Sequence, residues 1–256
     1  MGERVRTRIE SMAFKGYGVS RIDGKVVFIP YSATGDEVWV KIVQEKKNYS
    51  TGKLVEVLAP SSWRVEPPCP YFGKCGGCQW QHINYAQQVE QKKEILKDVL
   101  MRLGGLKKLP SITAFPSPAP YDYRTRVQLK VKGKELGYYQ ERSHQLVDIE
   151  RCPIAHPLVN QIISLLQKER FPLSSIEEIE INVSPEEEKG VLTFYFLKPS
   201  QGWETSARQF LKSHPILKGI TTLRERQTAS LGEPHLSFAI PLNLTLRTSP
   251  GSFFQV

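Results

Sequence analysis

The most constraining feature of the sequence is a group of three cysteines within ten residues. Cys69, Cys75 and Cys78 are spaced C-x5-C-x2-C, and the fourth cysteine, Cys152, stands far downstream before a proline. A C-x2-C step lets one short loop present two thiolates to a metal centre. Four thiolates complete a tetrahedral zinc site or an iron–sulfur cluster. Gly76 and Gly77 suit a chain that wraps tightly around such a centre.

The cysteine spacing alone does not choose the metal. The paired C-x2-C knuckles of a zinc ribbon are absent, because the fourth cysteine stands alone, and this asymmetry favours an iron–sulfur cluster. Disulfides and unrelated buried thiols are the alternatives. The chain opens with alternating charges instead of an apolar leader, so we expect no secretory signal, a cytoplasmic location and reduced thiols.

Length and charge bound the class of protein. The 256 residues suggest one or two domains, and no apolar run approaches the roughly 20 residues that span a bilayer. The net charge of +9 and the pI near 9.3 indicate a polyanionic partner. A net charge of this size is weak evidence for such a partner unless the basic residues lie together on one surface of the fold.

The first 58 residues alternate in the way that short strands do. Asp23-Gly24 between two β-rich runs is a strong hairpin signal. Five short strands in so few residues suit a small closed barrel of OB-like type. The strands that we predict are Arg4–Ile9, Val19–Ile22, Lys25–Ile29, Glu37–Gln44 and Lys53–Leu58.

A helix and an antiparallel meander are predicted downstream. Asn84 can cap the helix, and its apolar stripe of Val89, Leu96, Val99, Leu100 and Leu103 is predicted to be core. The strand after Tyr123 then alternates. Its polar face is a basic stripe of the kind that follows a phosphate backbone, made of Arg124, Arg126, Gln128 and Lys130.

The cysteine segments also carry a resemblance to a known family. The runs CPYFGKCGGCQWQH and ERCPIAHP resemble the iron–sulfur segment of RNA (uracil-5-)-methyltransferases that carry an N-terminal TRAM domain and methylate ribosomal RNA. The resemblance implies that Cys69, Cys75, Cys78 and Cys152 ligate one [4Fe–4S] cluster. It extends from about Arg4 to the last residue.

The pattern GYGVSR, followed by VVFIP, resembles the TRAM domain, which is an RNA-binding barrel. The resemblance implies that basic residues of the barrel contact phosphates and that Tyr17 or Tyr49 stacks on bases. A solvated charged surface is the alternative for any single lysine. The implied phosphate contacts are Arg6, Arg8, Lys15, Arg21, Lys41, Lys46 and Lys47.

The expected fold class is an α+β multidomain protein. Residues 1–58 form the TRAM barrel, residues 59–247 form an iron–sulfur α+β domain with an antiparallel sheet, and residues 248–256 begin a truncated methyltransferase domain. In the family the segment SFFQV leads into the catalytic domain, so the resemblance places Gln255 near target base and cofactor. We expect the Rossmann-like catalytic domain itself to be absent.

Uracil methylation at C5 requires a nucleophilic thiolate, and all four cysteines are already assigned to the cluster. A glycine-rich βαβ cofactor loop is not found either. We therefore expect the RNA-recognition and iron–sulfur portion of an S-adenosylmethionine-dependent RNA (uracil-C5)-methyltransferase, inactive alone. S-adenosylmethionine would bind only the full-length protein.

The expected partner is RNA, with 23S ribosomal RNA preferred and transfer RNA as the other option, and the chain is expected to be a monomer. One alternative is a freestanding RNA-binding module with a structural metal centre. An iron–sulfur electron carrier is a third hypothesis, but a compact acidic chain or a second cluster, which such carriers show, is missing from the sequence.

Overall fold

Two compact units make up the chain in the computed structural model. The structure describes residues 4–169, 171, 173, 175–196, 203–224, 227–240 and 242–252. Unit 1 contains Met1–Gly73 and Cys78–Pro118, and unit 2 contains Lys74–Gly77 and Ala119–Val256. Within the described ranges no helix combines the length and the apolarity needed to cross a membrane.

Unit 1 begins with a curled sheet of six strands. Its spatial order is β1-β5-β6-β4-β3-β2, and every neighbouring pair is antiparallel except β4 and β6. The strands are β1 (Arg4–Arg8), β2 (Ser11–Ala13), β3 (Tyr17–Ile22), β4 (Lys25–Pro30), β5 (Glu37–Glu45) and β6 (Tyr49–Ala59).

The sixth strand is a correction to the five that the sequence predicts. The chain reverses over Phe14–Gly16, where Lys15 takes a left-handed conformation with φ of 66°. This tight reversal lets β2 pair with an extended β3, which begins at Tyr17. Alternation was too short here to show two separate strands.

The inner face of the curled sheet is apolar. Its core consists of Ile9, Val27, Ile29, Val38 and Val40, all at most 1% exposed. The sheet curls far enough that the Thr7 hydroxyl of β1 hydrogen-bonds the Ser20 hydroxyl of β3. Period-two alternation along β3, β4 and β5 therefore places their basic and aromatic residues on the outside.

The segment after β6 is fastened to the barrel by one buried ion pair. The Arg64 guanidinium donates to both oxygens of the fully buried Asp36 carboxylate, each at 2.8 Å. The same carboxylate accepts the backbone N–H groups of Ala33 and Ser61. The stretch from Pro60 thus begins as a fixed extension of the barrel.

Helix α1 (Tyr85–Asp98) follows, and a π-helical turn (Val99–Leu103) ends it before Gly104. The predicted cap is confirmed, since Asn84 Oδ1 accepts the Gln87 N–H at 3.0 Å. The prediction that the apolar stripe is core is wrong. None of the helix residues is buried within the described structure, and Leu96 and Leu103 are 45% and 69% exposed.

Unit 2 is built on a seven-stranded mixed sheet with the order β13-β12-β11-β10-β7-β8-β9. The predicted meander β7-β8-β9 is antiparallel, but β11 and β12 are parallel. The strands are β7 (Arg126–Lys132), β8 (Glu135–Tyr139), β9 (Leu146–Asp148), β10 (Ile176–Ser184), β11 (Lys189–Phe196), β12 (Leu217–Arg224) and β13 (Gln227–Gly232).

A purely antiparallel sheet was therefore the wrong expectation for unit 2. A parallel pair needs a crossover connection, and helix α3 (Trp203–Ser213) lies in the connection between β11 and β12. Helix α2 (Pro157–Lys168) packs on β10 and β11. A hairpin of β14 (Leu236–Ile240) and β15 (Leu244–Thr248) adds Leu236 and Phe238 to the core beside Val191.

Candidate RNA-binding surface and cysteine site

One end of the unit 1 sheet brings cations and aromatic rings together. Arg21 of β3 pairs with Val26 of β4, which in turn pairs with Tyr49 of β6. Tyr49 is 40% exposed and meets the ring of Phe28 edge-on, with centroids 5.6 Å apart. The exposed Lys46 and Lys47 lie in the β5–β6 turn, where the Lys46 N–H donates to the Tyr49 carbonyl at 2.8 Å.

We name the group Arg21, Lys46, Lys47 and Tyr49 the barrel-end patch. Its exposed lysines can approach phosphates, and the supported Tyr49 ring offers a face or edge to a base. Of the two tyrosines that the sequence suggests for stacking, Tyr49 is the exposed one, whereas Tyr17 is only partly exposed and pairs with Pro30.

A second basic row lies along β1. Arg6 and Arg8 are both exposed, and Arg6 donates to Glu37 at 2.5 Å. The pKa of Glu37 is lowered, first by this hydrogen bond and then by the charges of Arg6 and, more weakly, Arg8. The Arg6 charge is therefore partly neutralised by Glu37, which leaves less of it to attract a phosphate. Lys41 lies opposite Arg4 on the neighbouring strand.

Two further aromatic residues, which the sequence analysis did not name as RNA contacts, lie on or near these surfaces. Trp39 pairs with Arg6 across the strands and is partly exposed. Alternation from Glu37 to Lys41 was the signal for its outward position. Phe14 is 72% exposed and stands beside the exposed Lys15 in the reversal. No periodic signal marks a single residue in so short a turn.

The reversal also packs against the cysteine segment within unit 1. A Cβ atom on Gly16 would lie 2.9 Å from Trp80 Nε1, so the backbone there sits directly on the indole. Trp80 follows Cys78 by two residues, and Lys92 of α1 lies over its ring at 5.8 Å. Trp80 therefore acts as a packing residue.

His82 is also a packing residue. Its Nε2 lies 3.1 Å from the Ser32 carbonyl, so Nε2 must carry the proton and donate. Burial lowers the pKa of His82 to about 4, with the Ser32 bond opposing the shift. Phe72, between Cys69 and Cys75, packs against both His82 and Tyr31. The neutral imidazole is therefore buried in unit 1, where it packs against Phe72 and donates to the Ser32 carbonyl.

The predicted basic stripe of β7 is largely neutralised within unit 2. Arg126 donates to the buried Glu180 at 2.7 Å, and Gln128 donates to the same oxygen at 3.2 Å. Lys130 is ion-paired with Glu178. The alternation of Glu178 and Glu180 with isoleucines on β10 was the signal for this acidic partner strand.

Phosphate binding by Arg126, Gln128 and Lys130 is consequently less favourable than the sequence suggested, because carboxylates already occupy their donors. Tyr195 adds a further donor to Glu180 at 3.3 Å, and burial raises the pKa of Tyr195 to about 12. Arg124 stands before β7, where its backbone pairs with that of Ala155. The RNA contacts of this strand stay predictions.

The Cys75-Gly76-Gly77 turn docks onto the end of β8 in unit 2. The Gly76 N–H donates to the Tyr139 carbonyl at 3.0 Å, and a Cβ on Gly76 would meet Glu141 N at 2.8 Å. The Gly77 N–H donates to Cys75 Sγ at 3.4 Å. Only glycine permits so close an approach of two backbones.

Cys152 is held by the first turns of α2. Asn160 Oδ1 accepts the Cys152 N–H at 2.8 Å, and Asn160 Nδ2 donates to the Cys152 carbonyl at 3.0 Å. His156 caps α2 by accepting the Leu158 N–H. The position of this thiol thus depends on a side-chain clamp that the ERCPIAHP run alone does not reveal.

Tyr138 of β8 is partly exposed as a residue, but its hydroxyl is buried. Burial raises the pKa of Tyr138, the electrostatic effects of Cys152 and Cys75 add to this, and Arg124 opposes it. No group in the described part of the chain reaches the buried Tyr138 hydroxyl with ordinary hydrogen-bond geometry.

The other two predicted ligands, Cys69 and Cys78, belong to unit 1, and all four thiols are partly exposed and free of disulfides. Among the described residues, no three cysteine, histidine or acidic side chains are gathered closely enough to hold a metal ion. The ligand set of four cysteines therefore stays a prediction. Gln255 lies outside the described residues.

Comparison with known proteins finds a match for the barrel residues. Residues 5–63 match the family model described as tRNA (uracil(54)-C(5))-methyltransferase, TRAM domain. A solved structure of Pyrococcus abyssi tRNA (uracil-54, C5)-methyltransferase with S-adenosyl-L-homocysteine superposes with a TM-score of 0.71. It covers 97% of this chain and 61% of that chain at 20% identity, so it supports the fold alone.

Curated relatives align with nearly the whole chain. An RNA methyltransferase of Protochlamydia amoebophila is 33% identical over 98% of the chain and 59% of the relative. A 23S rRNA (uracil(1939)-C(5))-methyltransferase of Thiobacillus denitrificans is 32% identical over 97% of the chain and 60% of the relative. The chain spans about 60% of the length of these two relatives.

These alignments correct two expectations. The chain was expected to lack a catalytic domain and to be only the RNA-recognition and iron–sulfur portion of an enzyme. Instead, methyltransferases align with 97 to 98% of it, and the fold of a methyltransferase covers 97%. Both expectations rested on the chain end, on the assignment of all four cysteines to a cluster and on the lack of a glycine-rich cofactor loop. None of these three signals measures how much of a methyltransferase the chain matches.

The barrel match and the alignments point in the same direction. Residues 5–63 are similar to a TRAM domain, and nearly the whole chain is similar to RNA methyltransferases, one of which is a 23S rRNA (uracil(1939)-C(5))-methyltransferase.

Proposed function

We propose that this protein is an S-adenosylmethionine-dependent RNA (uracil-C5)-methyltransferase. The observation that carries the proposal is one continuous alignment, in which a methyltransferase of this specificity matches 97% of the chain. The TRAM match over residues 5–63 supports RNA as the substrate. The solved methyltransferase that shares the fold holds S-adenosyl-L-homocysteine, which supports S-adenosylmethionine as the methyl donor.

The reaction joins a methyl group to a carbon that is not nucleophilic by itself. A thiolate adds to C6 of uracil, C5 then attacks the methyl sulfonium, and a base removes the C5 proton so that the thiolate leaves. The target base must be single-stranded or flipped out of its helix. The 256 residues contain four cysteines, each proposed as a cluster ligand, and we assign the nucleophile to none of them.

Within this function, the barrel-end patch and the β1 row serve to hold RNA. Ribosomal RNA is the proposed substrate, because the relative that acts on 23S rRNA is 32% identical, whereas the tRNA enzyme is 20% identical. We take the protein to be cytoplasmic and monomeric, in keeping with such a role.

The experiment compares RNA from a strain that lacks this gene with RNA from its parent. We expect 5-methyluridine to fall in 23S rRNA, as measured by mass spectrometry of nucleosides, and to return when the gene is restored. A loss confined to tRNA would replace the proposed substrate. Unchanged 5-methyluridine in both RNA classes would contradict the function.

We also propose that Cys69, Cys75, Cys78 and Cys152 hold one [4Fe–4S] cluster. A bound cluster supplies metal–thiolate bonds that fix loops far apart in sequence. The support for this proposal is the C-x5-C-x2-C spacing with Cys152 downstream, and the resemblance of both segments to the iron–sulfur segment of the family. Stoichiometric zinc, without iron or sulfide, in protein prepared without air would contradict the cluster.

A further inference from the structure

The tight reversal between β2 and β3 turns an aromatic residue away from the core. Met12 of β2 is buried, and a strand that continued would place Phe14 on the same face two residues later. The strand ends at Ala13, which pairs with Tyr17, so Phe14 instead begins the connection between the two strands. Phe14 is 72% exposed as a result.

The backbone of this reversal is held firmly in place. A single exposed apolar residue is ordinary on a protein surface, so the support of the turn is the observation that matters. Lys15 takes a left-handed conformation with φ of 66°, which is uncommon for a lysine and persists where the surroundings hold it. The Gly16 backbone lies on the Trp80 indole, where an added Cβ would be 2.9 Å from Nε1. A ligand can therefore bind Phe14 without first ordering the turn.

Two exposed lysines lie at the same support. Lys15 directly follows Phe14, and Lys92 of α1 lies over the Trp80 ring, with Nζ 5.8 Å from the ring centroid. An exposed aromatic ring beside cations is the combination that holds single-stranded nucleic acid, because the ring stacks on a base while the ammonium groups attract phosphates. The charge of the turn thus selects a polyanion with aromatic bases as the ligand.

We propose that Phe14 stacks on an unpaired base of the RNA, with Lys15 and Lys92 near the adjoining phosphates. This inference rests on the proposed function, in which RNA is the substrate. The site is separate from the barrel-end patch, because the reversal precedes Tyr17 at the start of β3, whereas Arg21 of the patch lies four residues further along. Four residues of extended strand span about 13 Å, so one single strand of RNA that follows β3 can reach both sites.

The test uses Phe14→Ala in the whole protein, with a single-stranded oligouridine as the probe. We expect the affinity to fall about tenfold, as the loss of one stacked base predicts. The slope of log affinity against log salt should not change, because the substitution removes no charge. Phe14→Tyr keeps an aromatic ring and should bind as the wild type does. Filter binding over a range of salt concentrations measures all three proteins.

Phe115→Ala is the matched control. Phe115 also belongs to unit 1 and is 90% exposed, but its neighbours in the chain are Ala114 and Pro116 instead of a lysine. This variant removes the same side chain and should leave the affinity unchanged. Equal losses in Phe14→Ala and Phe115→Ala would show a general effect of surface apolarity and would overturn the inference.

The role of the neighbouring charge is tested separately with Lys15→Asn. Asparagine tolerates the left-handed conformation, so the turn should keep its shape while one positive charge is lost. We expect the salt slope to shrink by about 0.7, the value for one phosphate contact on a single strand. An unchanged slope would contradict the part of the proposal that places Lys15 near a phosphate.

A direct measurement does not depend on any variant. Ultraviolet cross-linking of the wild type to oligouridine, followed by mass spectrometry of the peptides, should place a nucleotide on Phe14. Cross-links confined to other residues, or equal affinities of the wild type and Phe14→Ala, contradict the inference but spare the proposed function. A wild type that binds neither oligouridine nor 23S rRNA contradicts both.

Discussion

At the scale of single residues, the neutral His82 makes unit 1 sensitive to acid. The pKa of His82 is about 4 in the folded protein, against an ordinary value of 6.5. The unfolded chain therefore takes up a proton that the folded chain resists as the pH falls below 6.5. The free energy of unfolding should fall by about 3 kcal/mol between pH 6.5 and pH 4.

The measurement is denaturant unfolding at several pH values, compared with His82→Gln, which can still donate to the Ser32 carbonyl but does not titrate. The difference between the two proteins should be constant above pH 6.5 and change below it. His144→Gln is the control, since His144 is exposed. Equal pH slopes for wild type and His82→Gln would refute this account.

Individual residues also show which side-chain contacts can be predicted from the sequence. The Asn84 cap was predictable because a capping side chain acts on the backbone only three residues away. The burial of Glu180 beneath Arg126, Gln128 and Tyr195 was not, because those partners lie 15 to 54 residues away. Contacts between near neighbours can be predicted from the sequence, whereas contacts with a distant partner strand cannot.

At the scale of elements, the Asp36–Arg64 pair holds the segment after β6 to the barrel. Asp36→Asn removes the charge but keeps the shape, so Arg64, with its side chain 19% exposed, would lose its counter-ion. We expect a loss of about 3–5 kcal/mol in the free energy of unfolding. Thermal or denaturant unfolding measures this loss.

Glu37→Gln is the control for that prediction, because its pair with Arg6 is exposed on both sides. Exposed pairs contribute little, so this variant should unfold almost as the wild type does. A mild effect of Asp36→Asn, similar to that of Glu37→Gln, would mean that the backbone contacts around Asp36 suffice without its charge.

Helix α1 shows why an element can be predicted and its role missed. Its start, its cap and its end at Gly104 follow from the sequence, because they depend on near neighbours. Its apolar stripe indicated a buried face, yet Leu96 and Leu103 are exposed in the structure. Periodicity reports that a face is apolar and does not report what covers it.

At the scale of the whole molecule, the net charge of +9 is not spread evenly over the predicted RNA contacts. The cations of β7 are matched by carboxylates, whereas Lys46 and Lys47 in the barrel-end patch are exposed. We expect Lys46→Ala with Lys47→Ala to weaken binding of single-stranded RNA. The slope of log affinity against log salt should shrink by about 1.4.

Lys107→Ala with Lys108→Ala is the matched control, because it removes the same two charges from another exposed lysine pair of unit 1. Filter binding over a range of salt concentrations measures both variants. If the two double variants lose the same affinity and slope, net charge alone binds RNA and the patch has no special role.

The division into units shows the limit of sequence reasoning at this scale. The barrel was predictable because its turns and alternation lie within sixty residues. The parallel pair of β11 and β12 depends on the crossover through α3, and nothing in either strand marks its direction. The expectation of a missing catalytic domain was wrong for a different reason. It rested on the chain end, on four cysteines assigned to a cluster and on a missing glycine-rich loop, and none of these reports what the chain aligns with as a whole.

The docking of Gly76 on the end of β8 has a consequence for how a cofactor could be loaded. The turn is kept in place by backbone contacts with Tyr139 and Glu141, none of which involves a metal. For the proposed cluster, this means that Cys75 would be offered to iron on a turn that is already ordered. A side chain at position 76 would clash with the backbone of Glu141 and disturb that turn.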